Sequence, residues 1–124
     1  MLQHGLYKIE VEGNLLISQF FGAWNYEQTK LYQEQVKIEA LPLLGKPWAR
    51  VVDLSLWEGG GEETIAPLIM LQKWSEKHNC THVIFVNPPL VPAFMLKKYG
   101  DPYGNYKVVQ TVSEAKDWLL DKLK

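Results

Sequence analysis

The first part of the chain has the alternating pattern of β-strands. Tyr7, Ile9 and Val11 are separated by polar residues, and the apolar stretch Leu15–Phe21 follows after Glu12–Asn14. Alternation on both sides of a short Gly-Asn turn is typical of a hairpin. The sequence therefore predicts that the chain begins with two antiparallel strands.

A helix and a buried strand are predicted next. Asn25 and Gln28 have the spacing of a capping box, in which each side chain bonds the backbone of the other, so we expect a helix over Tyr26–Ala40. The segment Trp48–Leu54 is densely apolar and rich in β-branched residues. Such a run predicts a strand covered on both faces, at the centre of the sheet.

The middle of the chain repeats this order. Gly59–Gly61 is expected to break the chain, and Thr64 is the expected cap of a helix reaching about His78. Pro67 fits in the first turn of that helix, where its missing N–H has no intrahelical partner. Another short buried strand is predicted over Thr81–Val86.

The last third predicts a short helix, a strand and a terminal helix. The helix is expected over Pro92–Tyr99, before a loop at 100–104, and the strand over Tyr106–Gln110. Thr111 and Glu114 again have capping-box spacing. One helical stripe follows them, made of Ala115, Trp118, Leu119 and Leu123. This helix should close one face of the sheet.

The elements give the order β-β-α-β-α-β-α-β-α, which predicts an α/β fold with a mixed sheet flanked by helices. The 124 residues, 47% of them hydrophobic, suit a single domain over residues 1–124. The formal charge of −1 disfavours nucleic acid as a partner.

Membrane insertion is not expected, because no stretch approaches the roughly 20 apolar residues that span a bilayer, and Met1–Gly5 does not begin a signal peptide. The lone Cys80 cannot form an intramolecular disulfide. This is normal in a reducing compartment and favours the cytoplasm.

The order of elements, with Asp53-Leu54-Ser55 ending a buried strand before a loop and a helix, resembles the STAS domain of anti-sigma-factor antagonists. The resemblance covers nearly the whole chain. It implies a mostly noncatalytic protein-interaction module with a switchable interface.

Many such domains carry Asp-Ser-Ser-Gly at the start of the helix after the central strand, where phosphorylation of a serine controls partner binding. Aligned without gaps from Asp53, that motif falls on Gly61–Thr64, and Glu63 takes the usual phosphoserine position. The regulatory serine is then absent. Glu62 and Glu63 either mimic a permanently phosphorylated switch or simply compensate the helix dipole, an effect of about 0.3–1 kcal/mol.

Polar side chains are predicted to meet where the parallel strands end, which we call the exit edge. Asp53, Ser55 and Asn87 follow two such strands, and Trp57 and the glycine segment should border the same place. Crevices at this edge commonly receive ligands in open α/β sheets. The predicted binding surface comprises Asp53, Ser55, Trp57, Glu62, Glu63, Thr64 and Asn87.

Neither a metal site nor a catalytic site is predicted. His78, Cys80 and His82 lack the second His/Cys pair of a familiar zinc spacing, so the fold should survive chelation. A Ser/His/Asp or Cys/His site is opposed by topology, since Asp53 and Ser55 lie at strand exits and Cys80 and His82 at a strand entrance. His4 is compatible only if the N-terminal arm folds over the exit edge.

Three functions remain open. The first is a noncatalytic regulator that binds a protein partner without any cofactor. The second is a carrier or sensor of a small apolar or amphipathic molecule, suggested by aromatic residues and by the prolines before Phe94, and distinguished by a deep apolar pocket. The third is a small hydrolase or isomerase built from Asp53, Ser55 and an acidic loop residue, which has no evident base partner.

Overall fold

The computed structural model describes residues 5–99 and 106–123, and its strands form one five-stranded sheet. The strands are β1 (Gly5–Glu12), β2 (Leu15–Trp24), β3 (Trp48–Gly60), β4 (Cys80–Val86) and β5 (Lys107–Val109). The helices are α1 (Tyr26–Glu39), α2 (Ile65–Lys77), α3 (Leu90–Tyr99) and α4 (Val112–Leu119). The predicted α/β class and order of elements are confirmed.

The hairpin and the first helix form as local sequence dictates. Strands β1 and β2 pair antiparallel from Gly5 opposite Gly22 to Glu12 opposite Leu15, so the turn has two residues. Both halves of the α1 capping box are present: Gln28 N donates to Asn25 Oδ1 at 3.0 Å, and Asn25 N donates to Gln28 Oε1 at 3.3 Å. These bonds satisfy two N–H groups at the helix start.

The strands lie in sequence order, with β3 in the centre as predicted. The pairs β2–β3, β3–β4 and β4–β5 are parallel, so the carboxyl ends of β2 to β5 meet at one edge. Helices α1, α2 and α3 cover one side of the sheet, called here the three-helix face. Helix α4 covers the other side, called the α4 face, as its apolar stripe predicts.

The three-helix face buries large rings around a chain of polar groups. Phe20 and Trp24 stack with their ring centroids 4.1 Å apart, and Tyr32 meets both rings. Beneath them Arg50, only 3% exposed, donates to the Tyr32 hydroxyl and to Gln72 Oε1, each at 3.1 Å. These bonds lower the cost of burying a guanidinium in an apolar layer.

Several predicted boundaries are wrong. The largest difference is at β3, which continues six residues past Leu54 to Gly60, so Gly59–Gly61 does not break the chain after the strand. Helix α3 begins at Leu90 rather than Pro92, because two prolines precede it and Pro92 fits within its first turn. The predicted loop at 100–104 lies outside the described residues.

Candidate binding surface at the exit edge

Asp53 and Ser55 form a hydrogen-bonded unit in the middle of β3. The register with β2 passes from Asp53 opposite Gln19 to Leu56 opposite Phe21, so β3 carries one extra residue. Ser55 N and Ser55 Oγ both donate to Asp53 Oδ1, at 3.0 and 2.7 Å. The carboxylate thus holds the backbone N–H of Ser55 within the bulge. The Asp-Leu-Ser segment has a structural role in this strand.

Trp57 is not at the surface where it was predicted to border the site. Its side chain is 4% exposed and belongs to the core of the three-helix face. Its ring meets those of Phe20 and Trp24 at 5.3 and 5.7 Å, and its backbone is opposite Gly22. The bulge changes the alternation after Asp53, so a residue expected near Asp53 turns to the opposite side of the sheet.

The two glycines that end β3 allow close packing of neighbouring elements. Gly59 has φ +91°, and a Cβ there would lie 2.9 Å from Val91 Cγ1 of α3. A Cβ at Gly60 would lie 2.9 Å from the backbone oxygen of Trp24. Both positions therefore need glycine for space, and Gly59 also for its backbone conformation. They bring α3 and β2 against β3.

The acidic pair lies in a single 3₁₀ turn, Glu62–Thr64, directly before α2. Glu62 and Glu63 are exposed, whereas Thr64 is fully buried. The expected N-cap role of the Thr64 side chain is wrong: its hydroxyl donates to the Gly61 carbonyl oxygen at 2.7 Å and caps no N–H of α2. The 3₁₀ turn itself precedes the helix and changes the direction in which Thr64 points.

Asn87 ends β4 beside the Asp53 region. Asp53 is opposite Val86 in the sheet, so Asn87 is one residue further along the neighbouring strand. Asn87 has φ +46°, a left-handed conformation that asparagine tolerates, and its N–H donates to the Val109 oxygen of β5 at 2.8 Å. The structure places Asp53 beside the end of β4 and close to Asn87, but Asp53 and Ser55 lie within β3, which continues to Gly60, so the prediction that they end this strand is wrong. Trp57 and Thr64 lie in the interior.

Exposed apolar side chains at this edge were missed by sequence reasoning. In α3, Leu90 is 86% exposed, Phe94 60% and Val91 52%. Further along the neighbouring helix α2, Met70 is 58% exposed. The signal was present in the sequence, because Leu90–Leu96 is continuously apolar and a helix that packs on one side of a sheet buries only one of its faces. The cluster of exposed apolar side chains at the start of α3 is typical of an interaction surface.

His78, Cys80 and His82 are engaged separately. His78 Nδ1 bonds the Trp74 carbonyl oxygen at 2.7 Å and its ring stacks on Trp74, whereas the His82 ring meets Trp118 of α4. Cys80 is buried in the three-helix face, and this burial raises the pKa of its thiol to about 11. Residues 5–99 and 106–123 contain no group of three or more His, Cys, Asp or Glu able to hold a metal ion.

The catalytic alternative has little geometric support. The Ser55 hydroxyl donates to a carboxylate that already accepts the Ser55 N–H, and His78 and His82 lie at the opposite end of β4 from the exit edge. His4 lies outside the described residues. Of the helices in the described part of the chain, none has the length and apolarity to cross a membrane.

No protein-family model and no curated protein matches this sequence. Solved structures do match it. The unphosphorylated anti-sigma factor antagonist SpoIIAA superposes with a TM-score of 0.74 at 10% identity, covering 92% of this chain and 96% of that one.

Two further matches have similar coverage. A protein from Thermotoga maritima, assigned as an anti-sigma factor antagonist, superposes with a TM-score of 0.72 at 17% identity, covering 90% of this chain and 92% of that one. An anti-sigma factor antagonist from Mycobacterium paratuberculosis superposes with a TM-score of 0.63 at 14% identity, covering 94% and 95%. The chain therefore has the fold of the anti-sigma-factor antagonists, and its domain is STAS-like.

Proposed function

We propose that this protein is a noncatalytic regulator that binds a protein partner in the cytoplasm, as anti-sigma factor antagonists do by name. The proposed contact surface is the acidic turn Glu62–Glu63 with the exposed sides of α2 and α3 next to it. Asn87 lies where the neighbouring strand β4 ends, whereas Asp53 and Ser55 lie towards the α4 face and are not part of this surface. Trp57 and Thr64 support this surface from inside.

The exposed apolar side chains of α3 carry this proposal. Leu90, Val91 and Phe94 each leave more than half of their surface in water, and α3 itself is held close to β3 by the contact of Val91 with Gly59. An exposed apolar patch that follows an acidic turn supports docking of a protein surface with apolar and basic groups. Partner binding would remove these side chains from water, and this burial would stabilise the complex relative to the separate proteins.

The acidic pair supports a partner contact that does not depend on serine phosphorylation. Glu63 takes the position that the family motif gives to a phosphoserine, and the adjacent Thr64 hydroxyl is buried and donates to the Gly61 oxygen. A kinase would have to unfold this turn to reach Thr64. A carboxylate has less charge and fewer acceptor oxygens than a phosphate, so the mimicry proposed here is partial.

The experiment places a photo-crosslinking amino acid at Met70 or Phe94 in cells that express the protein. Leu31 of α1 is the matched control position, because its 60% exposure is close to those of Met70 and Phe94. We expect one partner to be crosslinked from Met70 and Phe94 and not from Leu31. Crosslinking only from Leu31, or equally from all three positions, would contradict the proposed surface.

Once the partner is identified, the variants Glu63→Gln and Glu63→Ser distinguish phosphate mimicry from compensation of the helix dipole. If it mimics a phosphate, both variants weaken partner binding at unchanged stability, and phosphorylation of the new serine restores it. If it only compensates the helix dipole, Glu63→Gln costs about 0.3–1 kcal/mol of stability and leaves the partner affinity unchanged. Unchanged affinity in both variants would exclude mimicry.

A further inference from the structure

The two edge strands of the sheet differ in how much backbone they leave unpaired. Strand β5 has three residues, so it offers only a short edge. Strand β1 has eight residues, pairs with β2 without a bulge, and has no strand on its other side among residues 5–99 and 106–123. A long, regular, uncovered edge strand is a template for pairing with another chain, and native proteins usually shorten, bend or cover such strands.

The register of the hairpin determines which backbone groups of β1 face outward. Glu12 and Leu15 flank the two-residue turn, so they form a hydrogen-bonded pair. Bonded and non-bonded pairs alternate along an antiparallel ladder, so every second residue counted back from Glu12 bonds to β2. The residues between them, which include Tyr7, Ile9 and Val11, have backbone N–H and C=O groups that point away from β2.

The side chains of Tyr7, Ile9 and Val11 form an apolar row on the three-helix face. Tyr7 and Ile9 are half-buried against the core, and the Tyr7 and Tyr32 rings meet with their centroids 5.4 Å apart. Val11, at the end of the row, is 38% exposed. A second row of the same kind laid beside this one would extend the core across the edge and remove Val11 from water.

The other side of β1 presents one positive and one negative charge close to the edge. Lys8 and Glu10 are exposed on the α4 face, where Glu10 is opposite Ile17 of β2. The Lys8 ammonium lies 5.7 Å from the centre of the Phe21 ring, and its exposure also allows it to meet a carboxylate from across the edge. A strand laid along β1 would therefore meet both charges.

Backbone geometry and charge together select one pairing with a second copy of the chain. Two β1 strands related by a two-fold axis can pair antiparallel only with outward-facing residues opposite each other. With Ile9 opposite the partner's Ile9, Tyr7 is opposite the partner's Val11, and Lys8 is opposite the partner's Glu10. The two neighbouring registers place Lys8 opposite the partner's Lys8 or Glu10 opposite the partner's Glu10, which is destabilising.

We propose that this protein forms a symmetric homodimer through β1, in which the two strands pair antiparallel about Ile9 and the two sheets join edge to edge. Two copies of the Lys8–Glu10 ion pair fix the register on one side of the strands, and the joined apolar rows lie on the other. The interface is small beside the roughly 20–30 residues a side of a standard interface, so we expect dimerisation at about micromolar rather than nanomolar concentrations. The inference is independent of the proposed partner contact, because it rests on β1 and not on α2 or α3.

Sedimentation velocity of the full chain, from about 1 to 500 µM at low salt, measures the association. Lys8→Glu and Glu10→Lys should each raise the dimer Kd roughly 10- to 100-fold, because each replaces two attractive pairs by two repulsive ones. The double variant Lys8→Glu/Glu10→Lys restores opposite charges in this register and should return the Kd to within about threefold. Lys73→Glu, at an exposed position of α2, is the control for net charge and should leave the Kd within the same range.

A mixture of the two single variants tests the register directly. The Lys8→Glu chain and the Glu10→Lys chain each oppose like charges in their own dimers but opposite charges in a mixed dimer. We therefore expect an equimolar mixture to dimerise at a concentration where each variant alone is monomeric. In the wild type, amide hydrogen exchange above the Kd should slow at Tyr7, Ile9 and Val11 and change little at the residues bonded to β2.

Four outcomes would overturn the proposal. One is a chain that stays monomeric over the whole concentration range, and another is a dimer whose Kd is the same in Lys8→Glu or is not restored in the double variant. Slow exchange of Ile9 and Val11 in the monomer is a third, because another part of the same chain would then cover the edge. The fourth is a dimer that leaves these amides in fast exchange, because its contact would then lie elsewhere, such as the apolar patch of α3.

Discussion

The two faces of the sheet bury their side chains in different ways. The three-helix face packs rings of Phe20, Trp24, Tyr32 and Trp57 around the buried guanidinium of Arg50. The α4 face is aliphatic, with Val51 and Ile84 of the sheet packed under Ala115 and Leu119 of one eight-residue helix. Rings and polar atoms must be placed individually, whereas aliphatic side chains fill space with few directional demands.

The two faces therefore differ in how they contribute to stability. The three-helix face has the larger cluster of buried residues, but its rings leave a small cavity beneath α3. On the other face, Ala115 and Leu119 of α4 are buried, and Asp53 is half-buried. Its ion pair, Lys116 with Glu12 at 2.9 Å, joins exposed groups and adds little stability.

The largest expected effect is on the three-helix face. Trp48 is fully buried, and its Nε1 donates to the His78 oxygen at 2.6 Å. Trp48→Ala should lower the free energy of unfolding by about 3–5 kcal/mol in urea denaturation, because it leaves a cavity and an unpaired carbonyl. Trp48→Phe fills most of the space and should cost less. A loss below about 1 kcal/mol would show that this face is not the main source of stability.

A smaller loss is expected on the α4 face. Leu119 is 1% exposed, so Leu119→Ala should cost about 2–3 kcal/mol, at the low end for a core leucine, because a short terminal helix can shift to fill the gap. The neighbouring Leu120 is 68% exposed, and Leu120→Ala should change stability by less than about 0.5 kcal/mol. If Leu119→Ala cost as much as Trp48→Ala, the two faces would contribute alike.

Substitutions at Asp53 test whether the bulge in β3 contributes to the free energy of unfolding. Asp53→Ala removes the acceptor of Ser55 N and Ser55 Oγ and should cost about 1–2 kcal/mol by urea denaturation. Asp53→Asn keeps the acceptor oxygen and should cost less than half of that. Equal losses in both variants would mean that the negative charge, rather than the hydrogen bonds, supports the bulge.

The smallest effect concerns His82 on the α4 face. Burial, and to a lesser degree the nearby Lys122, lowers the pKa of His82 below its ordinary 6.5. The folded protein therefore binds a proton at His82 less readily than the unfolded chain does. The contribution of His82 to the free energy of unfolding is constant above pH 6.5, and it is lost as the pH falls through the pKa of His82 in the folded protein. His82→Gln should show a shallower fall in stability between pH 7 and 5. An identical pH profile would exclude this contribution.

The sequence predicted the elements whose signals are local. The Asn25–Gln28 capping box and the Gly13–Asn14 turn formed as expected, and Thr111 accepts from Glu114 N at 3.1 Å. The apolar run from Trp48 predicted the central strand, and the stripe of α4 predicted which helix closes a face. These features depend on residues within a few positions of each other, so the sequence alone contains the necessary information.

The candidate surface was predicted only in part. Sequence reasoning brought Asp53 and Asn87 close together, because β3 and β4 are parallel neighbours, but it wrongly placed Asp53 and Ser55 at the end of β3. It placed Trp57 beside them, whereas the bulge after Asp53 turns that ring into the other face. It also missed the exposure of Leu90 and Phe94, which depends on which side of α3 meets the sheet.

Local patterns therefore determined the order and type of elements, the centre of the sheet and the helix starts at Asn25 and Thr111. The tertiary structure decided the extra length of β3, the inward turn of Trp57 and the burial of Thr64. These follow from contacts between segments distant in sequence, such as Gly59 with Val91 and Gly60 with Trp24. The free energies of such contacts are comparable to local propensities. A short stretch of neighbouring residues does not include both partners of such a contact, so its sequence pattern cannot predict it.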